Sequence, residues 1–394
     1  MKMLSRMLLL ATLVWLAGCG PTAKEKQTVT DMTTDMRSWG LGRQLFKLPK
    51  AFVFATGNYV TLQYGLTTDF NTAEITFIGA NVSQKEFMSM VKERQALIAA
   101  QTNDESKGSM LLLTKQLTDN SVLLRYYRST EISRSRIHEL HILLEDNYFV
   151  IKTESFDQSG IAVEEARLQT LINQIRLVND PAQAGPGFIF GPIVIDSNQD
   201  GEVATINFYD NQHPDLELDI NINAVSKDEN PSLLGRATEA EAHVLRKGKT
   251  QLGGMHAEEW LGRSNLNQRV ETRFDIESNR PAPGLTQPWV SMELGSGGRV
   301  ATWDARHDLS MNLRHLPPET RPDRFVTSSL TDYEAISLWD AIVHSVQPRP
   351  GAVHRPKPPD VVPGPSAEQI DRDRRMLNDF IADGAYIDPL KPKE

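Results

Sequence analysis

Apolar and polar residues alternate without a break along Leu216-Glu217-Leu218-Asp219-Ile220-Asn221-Ile222. A period of two belongs to a strand with one buried face and one wet face. Shorter runs predict strands at 52–54, 59–64, 74–78, 111–114 and 122–127. Leu140 to Leu144 and Tyr148 to Ile151 read as a hairpin turned at Asp146-Asn147. Elsewhere the spacing becomes helical. Ser83-Gln84-Lys85-Glu86 is a capping box, and Phe87, Met90, Val91, Leu97 and Ile98 follow it on one stripe. A second helix carries Val163, Ala166, Leu168, Leu171, Ile172 and Ile175.

The stretch from Asp180 to Pro186 breaks the pattern and reads as a linker, after which the plan restarts. Strands are expected at 188–195, 204–209, 216–222, 243–246, 270–276 and 289–294, with a short helix from Glu239. Thr331-Asp332-Tyr333-Glu334 opens a closing helix with Ala335, Leu338, Trp339, Ile342, Val343 and Val346 on one stripe. Each half therefore runs strands, helix, strands and a closing amphipathic helix. This predicts an α+β protein of two similar domains, 37–180 and 181–352, each an antiparallel-rich sheet with amphipathic helices, related by a degenerate duplication. Residues 20–36 are polar and lack periodicity, so 19–36 reads as a tether. The stretch 353–394 reads as a tail: Pro-rich to about residue 365, then a short helix capped by Ser366 with Ile370, Leu377, Phe380 and Ile381 on one side.

The N-terminus changes the picture. Lys2 and Arg6 precede an apolar run, Met7 to Leu16, too short to span a bilayer, and Leu16-Ala17-Gly18-Cys19 follows. This resembles a bacterial lipoprotein signal, which implies cleavage of 1–18 and acylation of Cys19, the only cysteine in 394 residues. Several acyl chains anchor firmly, because each buried CH₂ contributes ~0.8 kcal/mol. Gly20 in place of an aspartate implies the periplasm-facing leaflet of the outer membrane as the destination. Cleavage takes Lys2 and Arg6 and moves the formal charge from −9 to −11. An acidic body of this kind lacks the basic patch that nucleic-acid backbones require, and a mean hydropathy of −0.38 excludes a multi-span membrane protein.

Candidate chemistry is sparse. No phosphate-cradling loop, dinucleotide fingerprint or nucleophile elbow occurs, and nothing calls for a cofactor. His138 and His141 are the closest of nine histidines, but in a strand residues three apart point to opposite faces, which disfavours a shared metal. Glu258 and Glu259 are separated for the same reason. Arg125, Arg128, Arg134 and Arg136, interleaved with Tyr126 and Tyr127, form the one basic stretch. It reads either as a docking patch for an acidic partner or as a charged hairpin edge.

Four segments in order resemble one family: the periplasmic immunity lipoproteins that neutralise type VI secretion lipase (phospholipase) effectors, the class paired with the fourth group of such lipases. They are Trp39 to Pro49, Gly187 to Ile193, Leu245-Arg246-Lys247 with Gly253 to Trp260, and Leu338-Trp339-Asp340 leading to Ser345 and Arg349-Pro350-Gly351-Ala352. The resemblance implies a pincer-like, non-enzymatic binder that grips a cognate lipase effector and keeps its lid shut. Family cysteines are replaced here by Gly40 and Ile189, which removes any bridge they make. The other readings are an envelope assembly lipoprotein that uses its Pro-rich tail and a periplasmic metal-dependent hydrolase built on His138 and His141.

Overall fold

A computed structural model describes residues 20–65, 71–197, 199–225, 231–237, 242–266, 268–279, 288–300, 324–353 and 375. The chain enters through helix α1 (Ala23–Thr33), a hairpin of β1 (Met36–Leu41) and β2 (Gln44–Pro49), and the short β3 (Phe52–Phe54). The first half continues with β4 (Tyr59–Gln63), β5 (Thr72–Gly79) and helix α2 (Gln84–Ala99). Then come β6 (Leu111–Thr118), β7 (Ser121–Tyr127), β8 (Arg136–Leu144), β9 (Asn147–Ser155), helix α3 (Gln158–Gln174) and an exit strand β10 (Ile175–Leu177).

The second half repeats this order. A hairpin of β11 (Phe188–Phe190) and β12 (Ile193–Ile195) leads to β13 (Gly201–Asp210), β14 (Leu216–Asn223) and the four-residue helix α4 (Leu233–Arg236). Next are β15 (His243–Leu252), β16 (Met255–Leu266), β17 (Arg269–Ser278) and β18 (Trp289–Ser296). A ribbon of β19 (Gly298–Val300) and β20 (Arg324–Val326), helix α5 (Asp332–His344) and an exit strand β21 (Gln347–Pro348) close it.

The two expected sheets are one. Among the described residues the strand order is β15-β16-β17-β18-β14-β13-β4-β5-β9-β8-β7-β6, with β3 pairing the far end of β13. Along this path each strand of one half has its counterpart at the mirrored place in the other, while β3 and the β19–β20 ribbon have none among the described residues. At the centre β13 meets β4 antiparallel, Gly201 opposite Gln63 and Thr205 opposite Tyr59. Merging the halves satisfies two edges that would otherwise stand open. The exit strands are exchanged. β10 of the first half completes the β11–β12 hairpin of the second, and β21 of the second completes the β1–β2 hairpin of the first.

Covering helices explain the sequence patterns. In β9 the run Tyr148-Phe149-Val150-Ile151 is apolar throughout because both faces are buried. Phe149 and Ile151 join the main core with Leu168 and Leu171 of α3, while Tyr148 and Val150 pack with Phe87, Val91 and Ile98 of α2. In the second half the counterpart of α2 is the single turn α4, so β14 keeps its strict alternation. Leu216, Leu218, Ile220 and Ile222 are in the core, and Glu217, Asp219, Asn221 and Asn223 line the outer face.

The segment read as a tether contains α1. Thr22 and Glu25 form a capping box, Met32 is buried in the main core, and the helix packs along α5. Only Val29 and Met32 among its residues are larger apolar ones, so no stripe announced it. The break at 180–186 is packed as well: Asp180 caps a 3₁₀ turn, Pro181–Gln183, and Ala184 is buried with Ile189 and Val194. Cys19, the helix expected from Glu239 and the helix of the tail lie outside the described residues, apart from Arg375 in that tail.

Where the halves meet, a Cβ added to Gly40 would lie 2.5 Å from Ile189 Cδ1 and 3.0 Å from its Cγ2. The two positions that carry cysteines in the resembled family thus face each other, and the Ile189 side chain fills the gap. Gly40→Ala is expected to destabilise the fold by ~2 kcal/mol through overpacking. Adding Ile189→Ala should recover stability relative to Ile189→Ala alone, read as coupling in urea unfolding; additive losses would show the contact to be unimportant.

Candidate partner-binding surface

The residues that carry the family resemblance turn out to hold the protein together. Arg349 is 3% exposed, and its guanidinium donates to the carbonyls of Gly185, Gly187 and Gly42. Burial, then the neighbouring Arg43 and Arg176, push its pKa down to about 10. Arg43 donates to the Ala352 carbonyl and pairs with buried Glu202 at 2.7 Å. Gly42 and Ile189 exchange backbone hydrogen bonds of 2.8 and 3.0 Å. Segments 39–49, 187–193 and 349–352 therefore converge on the junction of the halves.

The remaining signature residues form a second knot. Arg246 on β15 grips Glu259 on β16 through two bonds of 2.8 and 3.0 Å and reaches Asp340 on α5. Trp339 Nε1 donates to the same Glu259 at 2.8 Å. The hydrogen bonds that this guanidinium donates to Asp340 and Glu259 raise its pKa despite some burial. Glu258 points the other way, as the strand reading required, and accepts from the Leu234 amide of α4 at 2.9 Å.

His138 and His141 are both buried and engaged with different partners. His138 Nε2 lies 2.9 Å from Ser155 Oγ. His141 Nε2 donates to Glu139 at 2.9 Å and its Nδ1 accepts from the Tyr148 hydroxyl at 2.6 Å, an arrangement that satisfies each group. Glu139 is fully buried and also accepts two 2.9 Å bonds from Arg94 and one of 2.6 Å from Tyr126. Burial alone would raise its pKa, but the bonds from His141 and Arg94 hold it well below the usual carboxylate range. No group of three or more metal-binding side chains occurs among the described residues.

The arginine stretch divides. Arg125 pairs with Glu165 at 2.9 Å and Arg128 with Glu154 at 3.2 Å, while Arg136 donates to the Arg134 carbonyl at 2.8 Å. Arg128 and Arg134 are exposed at the connection of β7 to β8. These charges sit on the sheet's first-half end.

The other charged surface is one the composition concealed. On the outer face of the second half, Asp219, Glu293 and Asp275 stand directly opposite one another on β14, β18 and β17. Like charges in such positions repel. Arg273 offsets part of this, 2.8 Å from Glu293 and 3.2 Å from Asp275. Asp219 Oδ1 is buried without a hydrogen-bond partner among the described residues. Burial, with Glu217 and Glu293 adding to it, pushes the Asp219 pKa up to about 7. Exposed Tyr59 and Tyr209 flank this row on β4 and β13. The strict alternation of β14 was the sequence signal for such a face; the alignment across strands was not legible there.

A folded pKa above the unfolded value means that stability falls as pH rises from about 4 to about 7. Asp219→Asn should flatten that decline and raise stability at pH 8 by roughly 1 kcal/mol. Thermal melts across this range check it, and an unchanged slope would contradict the assignment.

Comparison with known proteins places this geometry. Residues 181–351, the second half, match the family described as Tle cognate immunity protein 4 C-terminal domain. The apo immunity protein TplEi of T6SS from Pseudomonas aeruginosa has a similar fold, at 23% identity and a TM-score of 0.55, covering 80% of this chain and 98% of that one. A chain of the Tle4–Tli4 complex matches at 21% identity and a TM-score of 0.56, covering 81% of this chain and 99% of that one. No curated protein matches the chain.

Proposed function

We propose that the protein is an immunity protein that binds and inhibits a cognate type VI secretion phospholipase or lipase effector in the periplasm. The observation that carries this reading is the match over 181–351, joined by a fold likeness to immunity proteins over four fifths of the chain. The side chains fit a binder: the buried polar clusters are consumed by internal bonds, as described for Arg349, Arg246 and Glu139. Inhibition acts by holding the effector's lid closed, so that lipid never reaches the nucleophile and no catalytic group on this chain is needed. The two halves grip the effector as a pincer, with contacts drawn from the exposed charged surfaces, the Arg128 and Arg134 end and the outer face of β13–β17. Acylation at Cys19 keeps the protein on the periplasmic face of the outer membrane, where a delivered lipase attacks.

Coexpression in the periplasm tests this reading. The mature chain should copurify with the lipase encoded beside it and abolish its toxicity. Undiminished killing with no copurification would sink the proposal.

A further inference from the structure

If residues 19–36 were a flexible tether, the body would wander about 23 Å from its anchor, the r.m.s. reach of 18 disordered residues. The structure leaves far less freedom. Only Gly20, Pro21 and Thr22 separate Cys19 from α1, a reach of about 10 Å. That helix is not free to swing. Its Met32 is buried in the main core, it packs along α5 and against β2, and the Thr331 side chain at the start of α5 is close enough to help, after Thr22, to lower the Glu25 pKa. The N-termini of α1 and α5 therefore lie side by side.

From this we infer that the body is held flush against the lipid surface in one orientation, with the end formed by the starts of α1 and α5 facing the membrane. The inference rests on acylation of Cys19. The end so placed carries exposed Lys24 and Lys26 on the first turn of α1, Asp332 paired with Arg263 at 3.0 Å, and Tyr333, an aromatic residue 37% exposed. Lysines beside the anchor suit anionic headgroups, and a half-exposed tyrosine suits the interface. α5 packs on β15 and β17, whereas β6 closes the opposite end of the sheet, nine strands from β17 and about 40 Å along it. The arginine end is thus kept away from the anchor and turned toward whatever arrives in the periplasm.

The test exploits the single cysteine. In the acylated full-length protein Cys19 is blocked, so Tyr333→Cys or Leu112→Cys supplies one labelling site each; both native side chains are exposed. Fluorophore-labelled proteins are reconstituted into phosphatidylethanolamine–phosphatidylglycerol vesicles containing nitroxide-labelled lipid. Position 333 should be quenched several-fold more than position 112. Inserting about 20 Gly/Ser residues after Gly20, which leaves the capping box of α1 whole, frees the body by about 25 Å, so the ratio should fall toward one; an unchanged ratio would show that the short link into α1 does not set the orientation. Vesicle flotation with equal quenching at both positions overturns the orientation and leaves the anchor intact. Failure of the wild-type chain to float overturns the acylation and the orientation with it.

Discussion

Arg349→Met lowers the free energy of unfolding by about 3 kcal/mol, because it strips a charged donor from three carbonyls that water does not replace. Gly42, Gly185 and Gly187 supply those carbonyls, and Arg349 is 3% exposed among them. Arg349→Lys recovers only part of the loss, since an ammonium cannot fork toward acceptors on different segments. The damage is local before it is global. The bridge between Gly42 and Ile189 and the pairing of β21 with β2 should open first. Hydrogen exchange at the Gly42 and Ile189 amides reads this, and urea unfolding reads the total. Wild-type protection at both amides would show that the guanidinium does not hold the junction.

Arg94→Met is expected to be as damaging, at roughly 3–5 kcal/mol, for a different reason. It leaves the carboxylate of Glu139, with no solvent exposure, short of its cation. Replacing both partners, Arg94→Met with Glu139→Gln, should recover much of that loss, because no buried charge remains uncompensated. The pH dependence separates this from simple loss of packing. In the wild type the Glu139 pKa is depressed, so its contribution is present above the unfolded carboxylate value and is lost as pH falls below about 4.5. The single variant should lose that acid slope. Denaturant midpoints measured from pH 3 to pH 7 decide it, and an unchanged slope would place the origin of the acid sensitivity elsewhere.

How far the sequence announced this structure depends on what carried the signal. Helices that cover a sheet write themselves into its strands: the double-faced run at Tyr148–Ile151 and the clean alternation of β14 report α2 and the brevity of α4. α1 left no such mark, since Met32 alone of its residues reaches the core and its capping box at Thr22 is followed by no apolar stripe. The duplication was legible because both halves repeat one order of elements. Their fusion through β4 and β13, and the exchange of β10 and β21, were not, because strand pairing depends on partners far apart in the chain. For the same reason His138 and His141 could be read as pointing apart, while the bonds of His141 to Glu139 and Tyr148 could not. The arginine stretch was visible by composition, but the pairing of Arg125 with Glu165 and of Arg128 with Glu154, and the exposure of Arg128 and Arg134, needed coordinates.

The exchanged exit strands also set a schedule. Leu45 on β2 pairs with Gln347 on β21, so the first hairpin is completed by residues about three hundred positions later. Contacts of such long range slow folding, because the loop must close before the pairing rewards it. A chain synthesised from its N-terminus cannot seal its first half until the end of α5 has followed. The protein therefore reaches its finished form in one late step, and fragments ending before Gln347 should remain open at β2 and be easy prey for proteases.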